Sequence, residues 1–159
     1  MKTICRILSI ALILGLVSFK GFSQDYNTAI GLRGGWHYGL TVKHFVNSTD
    51  ALEGLLVTGW GGFELTVLYE RHATAFGIDK LNWYYGAGGH IGVWDRGPWF
   101  NEDKRETHTV VGVDGILGLE YNIGDIPFNI SVDWKPELNF VGYSGFWGGD
   151  GALSIRYTF

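Results

Sequence analysis

The chain has 159 residues, of which 46% are hydrophobic, 16% aromatic and 18% charged, with 25 Gly, 3 Pro and a single Cys. That length suits one domain, and so many aromatics with so little charge exclude a disordered chain. Lys and Arg number 12 against 16 Asp and Glu, which leaves no basic face for nucleic acid, and the lone Cys excludes disulfide scaffolds and zinc fingers.

Residues 1–24 read as a secretory leader. Lys2 and Arg6 form a positive start, residues 7–19 are an apolar run, and small residues near Ser23 and Gln24 suit a cleavage point. The run is shorter than the ~20 apolar residues that a membrane helix needs. Cys5 precedes the run, so it does not have the position of a lipoprotein's lipidated cysteine. The leader takes with it Lys2, Arg6, Lys20, the only Cys and the only Met, which leaves residues 25–159 at about −7 by counting. An exported domain without cysteine must be stable without disulfides, and a closed sheet meets that need because every strand has a partner.

From residue 28 onward apolar residues alternate with polar ones, broken by Gly, Asn, Asp and Pro clusters, and no 3.6-residue stripe intervenes. The pattern predicts strands over 28–35, 38–46, 51–60, 62–72, 81–95, 108–122, 127–140 and 151–159. Gly34-Gly35 reads either as a tight hairpin or as a glycine bend in one long strand over 28–46. In the fourth segment Phe63, Leu65, Val67 and Tyr69 oppose Glu64, Thr66 and Glu70. In the sixth, Val111, Val113, Leu117 and Leu119 oppose Gly112, Asp114, Gly118 and Glu120. The seventh sets Phe128, Ile130, Val132 and Trp134 against Asn129, Ser131, Asp133 and Lys135. The last sets Leu153, Ile155, Tyr157 and Phe159 against Ser154, Arg156 and Thr158. Eight such strands predict an all-β, antiparallel, up-and-down closed barrel.

Alternation does not say which face is inside. A soluble lipocalin-like barrel that carries a hydrophobic ligand turns its apolar face inward, and a membrane barrel turns it outward. Three features favour the membrane. The polar face carries Gly86, Gly88, Gly92, Gly112 and Gly118, which relieve crowding in a narrow lumen. It is poor in Lys, unlike the water-facing side of a soluble barrel. Aromatics also gather at the segment ends, with Trp36, Tyr38, Trp60 and Phe63 towards one rim and Tyr69, Trp83, Tyr121, Phe128, Tyr157 and Phe159 towards the other, as two interfacial girdles require.

The closing stretch Ala152-Leu-Ser-Ile-Arg-Tyr-Thr-Phe159 resembles the last strand of bacterial outer-membrane β-barrels. Taken with the leader, the likeness covers essentially the whole chain. More narrowly, the chain is similar to small barrels of the Bacteroidetes-type lineage, close in architecture to outer-membrane protein X and the barrel domain of outer-membrane protein A. The segments Ala29-Ile-Gly-Leu-Arg-Gly-Gly35, Ala51-Leu-Glu-Gly-Leu55, Leu81-Asn-Trp-Tyr-Tyr-Gly86 and Gly89-His-Ile-Gly92 carry it, with Gly115-Ile-Leu-Gly-Leu-Glu-Tyr121 and Ser131-Val-Asp-Trp-Lys-Pro136. The resemblance implies a monomer in outer-membrane lipid, exported and then inserted by the barrel-assembly machinery, with Leu153, Ile155, Tyr157 and Phe159 as the recognised signal. It implies no catalytic residues. An even strand count puts both chain ends in the periplasm, with turns near 47–50, 73–80 and 123–126 on that side. Connections near 36–37, at Gly61, across 96–107 and across 141–150 would face outward.

The lumen-facing set comprises Arg33, Lys43, Glu53, Glu64, Glu70, Asp114, Glu120, Asp133, Lys135 and Arg156. The interior of an eight-stranded barrel is just wide enough for side chains to fill, so these charges are expected to neutralise one another as a plug rather than line a channel. The histidines at 37, 44, 72, 90 and 108 include no His-x-x-x-His pair, so neither a metal nor another cofactor is expected; His90 joins the lumen set. Small barrels can also be lipid-modifying enzymes. Ser131 and Ser154 share the polar face with Asp133 and His90, but no G-x-S-x-G elbow supports a nucleophile. Trp99, Phe100, Phe146 and Trp147 in the outward connections are candidates for recognising an extracellular ligand, or else anchors at the membrane interface. Asn47-Ser48-Thr49 matches a glycosylation sequon but falls in a periplasmic turn, so it is set aside. The function expected is that of a non-enzymatic surface barrel that supports the envelope or presents loops for adhesion.

Overall fold

The computed structural model describes residues 26–59, 61–94, 107–142 and 144–159. The expected leader, Trp60 of the aromatic girdle, Tyr143, and residues 95–106 with Trp99 and Phe100 lie outside the described residues. Ten strands form: β1 (Thr28–Gly35), β2 (Tyr38–Phe45), β3 (Asp50–Gly59), β4 (Gly62–Thr74), β5 (Leu81–Trp94), β6 (His108–Ile123), β7 (Phe128–Trp134), β8 (Glu137–Val141), β9 (Gly145–Trp147) and β10 (Gly151–Thr158). Each pairs antiparallel with its neighbours, β5 pairs with β6, and β10 returns to pair with β1, so the sheet closes.

The ten strands make eight staves. Leu117 faces Trp134 and Asp114 faces Glu137, so β7 and β8 lie in one register along β6. Pro136 interrupts them because it has no N–H to give; its carbonyl still accepts from Gly115 N at 2.9 Å. β9 and β10 form the other composite stave. Trp147 faces Glu137 and Gly151 faces Trp134, so residues 148–150 oppose only 135–136, a bulge of one residue. Residues 28–46 form a hairpin, with Leu32 opposite Leu40, and not a single bent strand. Residues 141–150 differ from the expected outward connection. Gly142, at φ 83°, turns the chain back at once, and β9 pairs with β8, so these glycines build a hairpin and a bulge.

Both described chain ends meet at one end of the barrel, where Thr28 and Phe159 exchange backbone hydrogen bonds of 3.0 and 2.9 Å. The connections at 46–49, 75–80 and 124–127 share that end. At the first of them Asn47 Oδ1 accepts from the backbone N–H of Thr49 at 2.9 Å and of Asp50 at 2.8 Å, so the sequon asparagine serves the turn. Arg71 Nε donates to Asp50 Oδ1 at 2.7 Å, just beyond Tyr69 on β4. The guanidinium hydrogen bond, helped by Asn47, holds the Asp50 carboxyl down at about 2.

The two faces are inverted relative to a water-soluble core. Leu32, Val132 and Leu153 face outward at 61%, 54% and 59% exposure, whereas Arg33, Lys43, Lys135 and Arg156 are buried inside. Trp36 and Tyr38 are exposed at the rim of the β1–β2 turn; Tyr69, Tyr121, Phe128 and Tyr157 are exposed towards the opposite rim. There Phe128 meets Tyr157 edge-on at 5.4 Å, while Trp83 stacks on Tyr85 at 5.1 Å. Among the described residues no helix is long and apolar enough to cross a membrane.

Candidate functional site

The chemistry of this barrel is concentrated in its lumen. Every second residue of each strand points inward, so period-two alternation delivers one side chain to the lumen per ~6.6 Å of strand. The whole expected set, Arg33, Lys43, Glu53, Glu64, Glu70, Asp114, Glu120, Asp133, Lys135 and Arg156, is buried there. Two further carboxylates, Glu137 and Asp150, join it. Sequence reading missed both: Glu137 follows a proline, and Asp150 ends a glycine-rich stretch with no alternation to place it.

The contacts form two groups. In the inner group, towards the chain ends, Lys43 Nζ lies 2.8 Å from Glu70 and within 3.5 Å of Glu53 and Glu120. Arg156 donates to Glu53, to Thr41 Oγ1 at 3.0 Å and to Ser131 Oγ at 2.7 Å. Tyr26 donates to Glu120 at 3.0 Å, and His72 Nε2 lies 3.1 Å from Glu70 while its ring stacks on Tyr84. In the outer group Lys135 Nζ lies among Glu64 (3.4 Å), Asp114 (3.1 Å), Glu137 and Asp150 (3.6 Å). His90 Nδ1 is 3.0 Å from Asp114, and its Nε2 is 2.6 Å from Asn139 Oδ1. Arg33 reaches Asp133 at 2.7 Å and Asp150 at 3.6 Å. Tyr84 joins the groups: its hydroxyl donates to Asp133 at 3.1 Å, and Lys43 Nζ sits 4.0 Å above its ring. It also packs with buried Leu55, Val57, Leu68 and Ile116.

Glycines make room for the large lumen rings. A Cβ on Gly118 would meet Tyr84 Cζ at 2.5 Å, and one on Gly92 would meet Trp94 Nε1 at 2.8 Å. Trp94 thereby folds inward at the outer mouth, where His37 lies against it at 5.3 Å. Trp36 meets Trp147 at 5.8 Å on the same rim, and Phe146 is exposed beside them on β9.

Charges packed together in this way can rigidify the barrel and fill the lumen. Ser131 accepts from Arg156, and Ser154 Oγ has no hydrogen-bond partner among the described residues. His90 is held between Asp114 and Asn139. The serine, histidine and aspartate of an acyl-transfer site are therefore not brought together. The closing strand carries Leu153, Ile155, Tyr157 and Phe159 on its outer face, all exposed. No family model matches this chain, and no curated protein sequence matches it.

Proposed function

We propose that this chain is a non-enzymatic β-barrel of the bacterial outer membrane that supports the envelope and presents its outward connections for adhesion or recognition. The inverted faces carry this reading. An outward belt of Leu, Val and Ile beside a charged interior is unfavourable in water, because every exposed apolar side chain forgoes its burial free energy. In a bilayer the same belt meets acyl chains, and a closed sheet leaves no strand edge unpaired in lipid. β3 to β6 have 10 to 16 residues, enough for a tilted crossing, which takes ~9–11.

The leader-like residues 1–24 fit export, and the alternating β10, followed at once by Phe159, fits delivery to the barrel-assembly machinery. The ion-pair plug favours a structural barrel over a channel. It also speaks against a ligand-carrying soluble barrel, because an apolar ligand has no counterpart in a charged lumen. Cell fractionation followed by gel migration in detergent tests the reading. Outer-membrane recovery with a band that shifts on boiling is expected; recovery in the soluble fraction would overturn it.

A further inference from the structure

The lumen charges do not balance. Among the described residues the inner group sets Glu53, Glu70 and Glu120 against Lys43 and Arg156. The outer group sets five carboxylates, Glu64, Asp114, Asp133, Glu137 and Asp150, against the permanent cations Arg33 and Lys135, with His90 and His37 as ion-pair partners of Asp114 and Asp150 only when protonated. Buried charge without a counter-charge is costly, so the outer group has capacity for a further cation.

Two sets of donor atoms converge there, each with its atoms within 4.8 Å of one another: Glu64, His90, Asp114 and Glu137, and then His37, Glu137 and Asp150. The first set is already served by an internal cation, the Lys135 ammonium, and by the hydrogen bond between His90 and Asp114. The second set shares Glu137, which Lys135 also reaches, but differs in its other two members. Asp150 is fully buried, yet neither of its carboxylate oxygens has a hydrogen-bond partner, and nor does His37 Nδ1. Asp150 Oδ2 has only the 3.6 Å contacts to Arg33 and Lys135, while the other two atoms face each other, His37 Nδ1 lying 3.7 Å from Asp150 Oδ1. That separation is too long for a hydrogen bond. It is close to the ~3.4 Å that separates two ligands on one tetrahedral ion with bonds of ~2.0–2.2 Å.

We propose that His37, Glu137 and Asp150 bind a divalent transition-metal cation, of zinc type, at the outer mouth of the lumen. One imidazole with two carboxylates suits a borderline metal better than calcium or magnesium, which prefer oxygen alone. Arg33 and Lys135, each 3.6 Å from Asp150 Oδ2, oppose the ion and make its affinity moderate. His37 sits on the β1–β2 turn with its side chain still 11% exposed beside Trp94, which gives the ion a way in. The site needs only the closed lumen, so it stands whether or not the barrel is placed in a membrane.

The test uses the untagged, folded barrel stripped with chelator and titrated with Zn²⁺ by calorimetry. One ion per barrel is expected, with affinity lowered by more than the ~10–100-fold typical of outer-shell changes in both His37→Gln and Asp150→Asn. His44→Gln, on the exposed face of β2, should bind as the parent does. A second measurement needs no variant: Zn²⁺ should shield His37 from diethyl pyrocarbonate, mapped by mass spectrometry, and leave His44 reactive. Absence of saturable binding, full affinity in both variants, or unshielded His37 would each overturn the proposal.

Discussion

Arg33 and Asp133 stand 100 positions apart in the chain and 2.7 Å apart in the lumen. They belong to β1 and β7, the two strands that flank β10, and they meet across its small inward residues. Ser154 pairs with Arg33 and Ala152 pairs with Asp133. The pair therefore forms only when the first and last strands close the barrel, and it marks closure as much as it neutralises charge.

Removing one partner should show this. Arg33→Met leaves Asp133 buried and short of a cation, at a cost of about 3–5 kcal/mol. Arg33→Met with Asp133→Leu should recover part of the loss, because Asp133 is no longer left without its cation, while Asp150 still loses its contact with Arg33. Urea unfolding in lipid vesicles measures both. Equal loss in the single and double variants would mean that the pair matters through shape and not charge.

The Tyr84 ring lies over Gly118, its cross-strand neighbour. Gly118→Ala puts a methyl group where 2.5 Å separates it from Cζ, so overpacking should destabilise by about 1–3 kcal/mol. Tyr84→Leu in the same chain should relieve the clash and give a positive coupling in a double-mutant cycle. Additive losses would place the clash at Asp133 Cβ, 2.8 Å from the added methyl group, and not at the ring.

Acid should act at the turn between β2 and β3, at the end of the barrel where the chain ends meet. Asp50 is held at about 2 in the folded barrel, below its ordinary 3.8, chiefly by Arg71. A depressed carboxyl contributes stability above its unfolded value, and that contribution is lost as pH falls from about 4 towards 2. The effect is small because the Arg71 side chain is 57% exposed, and water screens the pair. Asp50→Asn should flatten the acid limb of the unfolding midpoint between pH 4 and 2. An unchanged limb would place the acid sensitivity elsewhere.

Val132 and Ser131 are neighbours on β7 with opposite destinations, the first 54% exposed and the second buried. Val132→Arg should cost ~2–4 kcal/mol at mid-bilayer depth. The same change on a barrel surrounded by water would cost little. Refolding into vesicles and into non-ionic detergent, compared side by side, reads the difference.

Most of the barrel was legible because its information is local. Period two fixes which side chains share a face, so β4, β6, β7 and β10 and their inward charges could be read from the residues themselves. Two parts were not legible. The split of the seventh and eighth staves depends on Pro136 and on a bulge at 148–150, where alternation slips by one residue. The cluster of His37, Glu137 and Asp150 unites three distant stretches, so no spacing rule such as His-x-x-x-His could have found it. The position of Trp94 also went unread, because the glycines that admit it, Gly62 and Gly92, lie on two different strands.

The central claim is that the apolar face of this barrel meets lipid. Nitroxide labels on Val132→Cys, Leu153→Cys and Leu32→Cys, in a chain whose native cysteine lies at position 5, test it directly by paramagnetic resonance in vesicles. The account predicts collision with dissolved oxygen and shielding from a water-soluble nickel chelate at all three sites. Free access of the chelate to these labels on the folded barrel would contradict it.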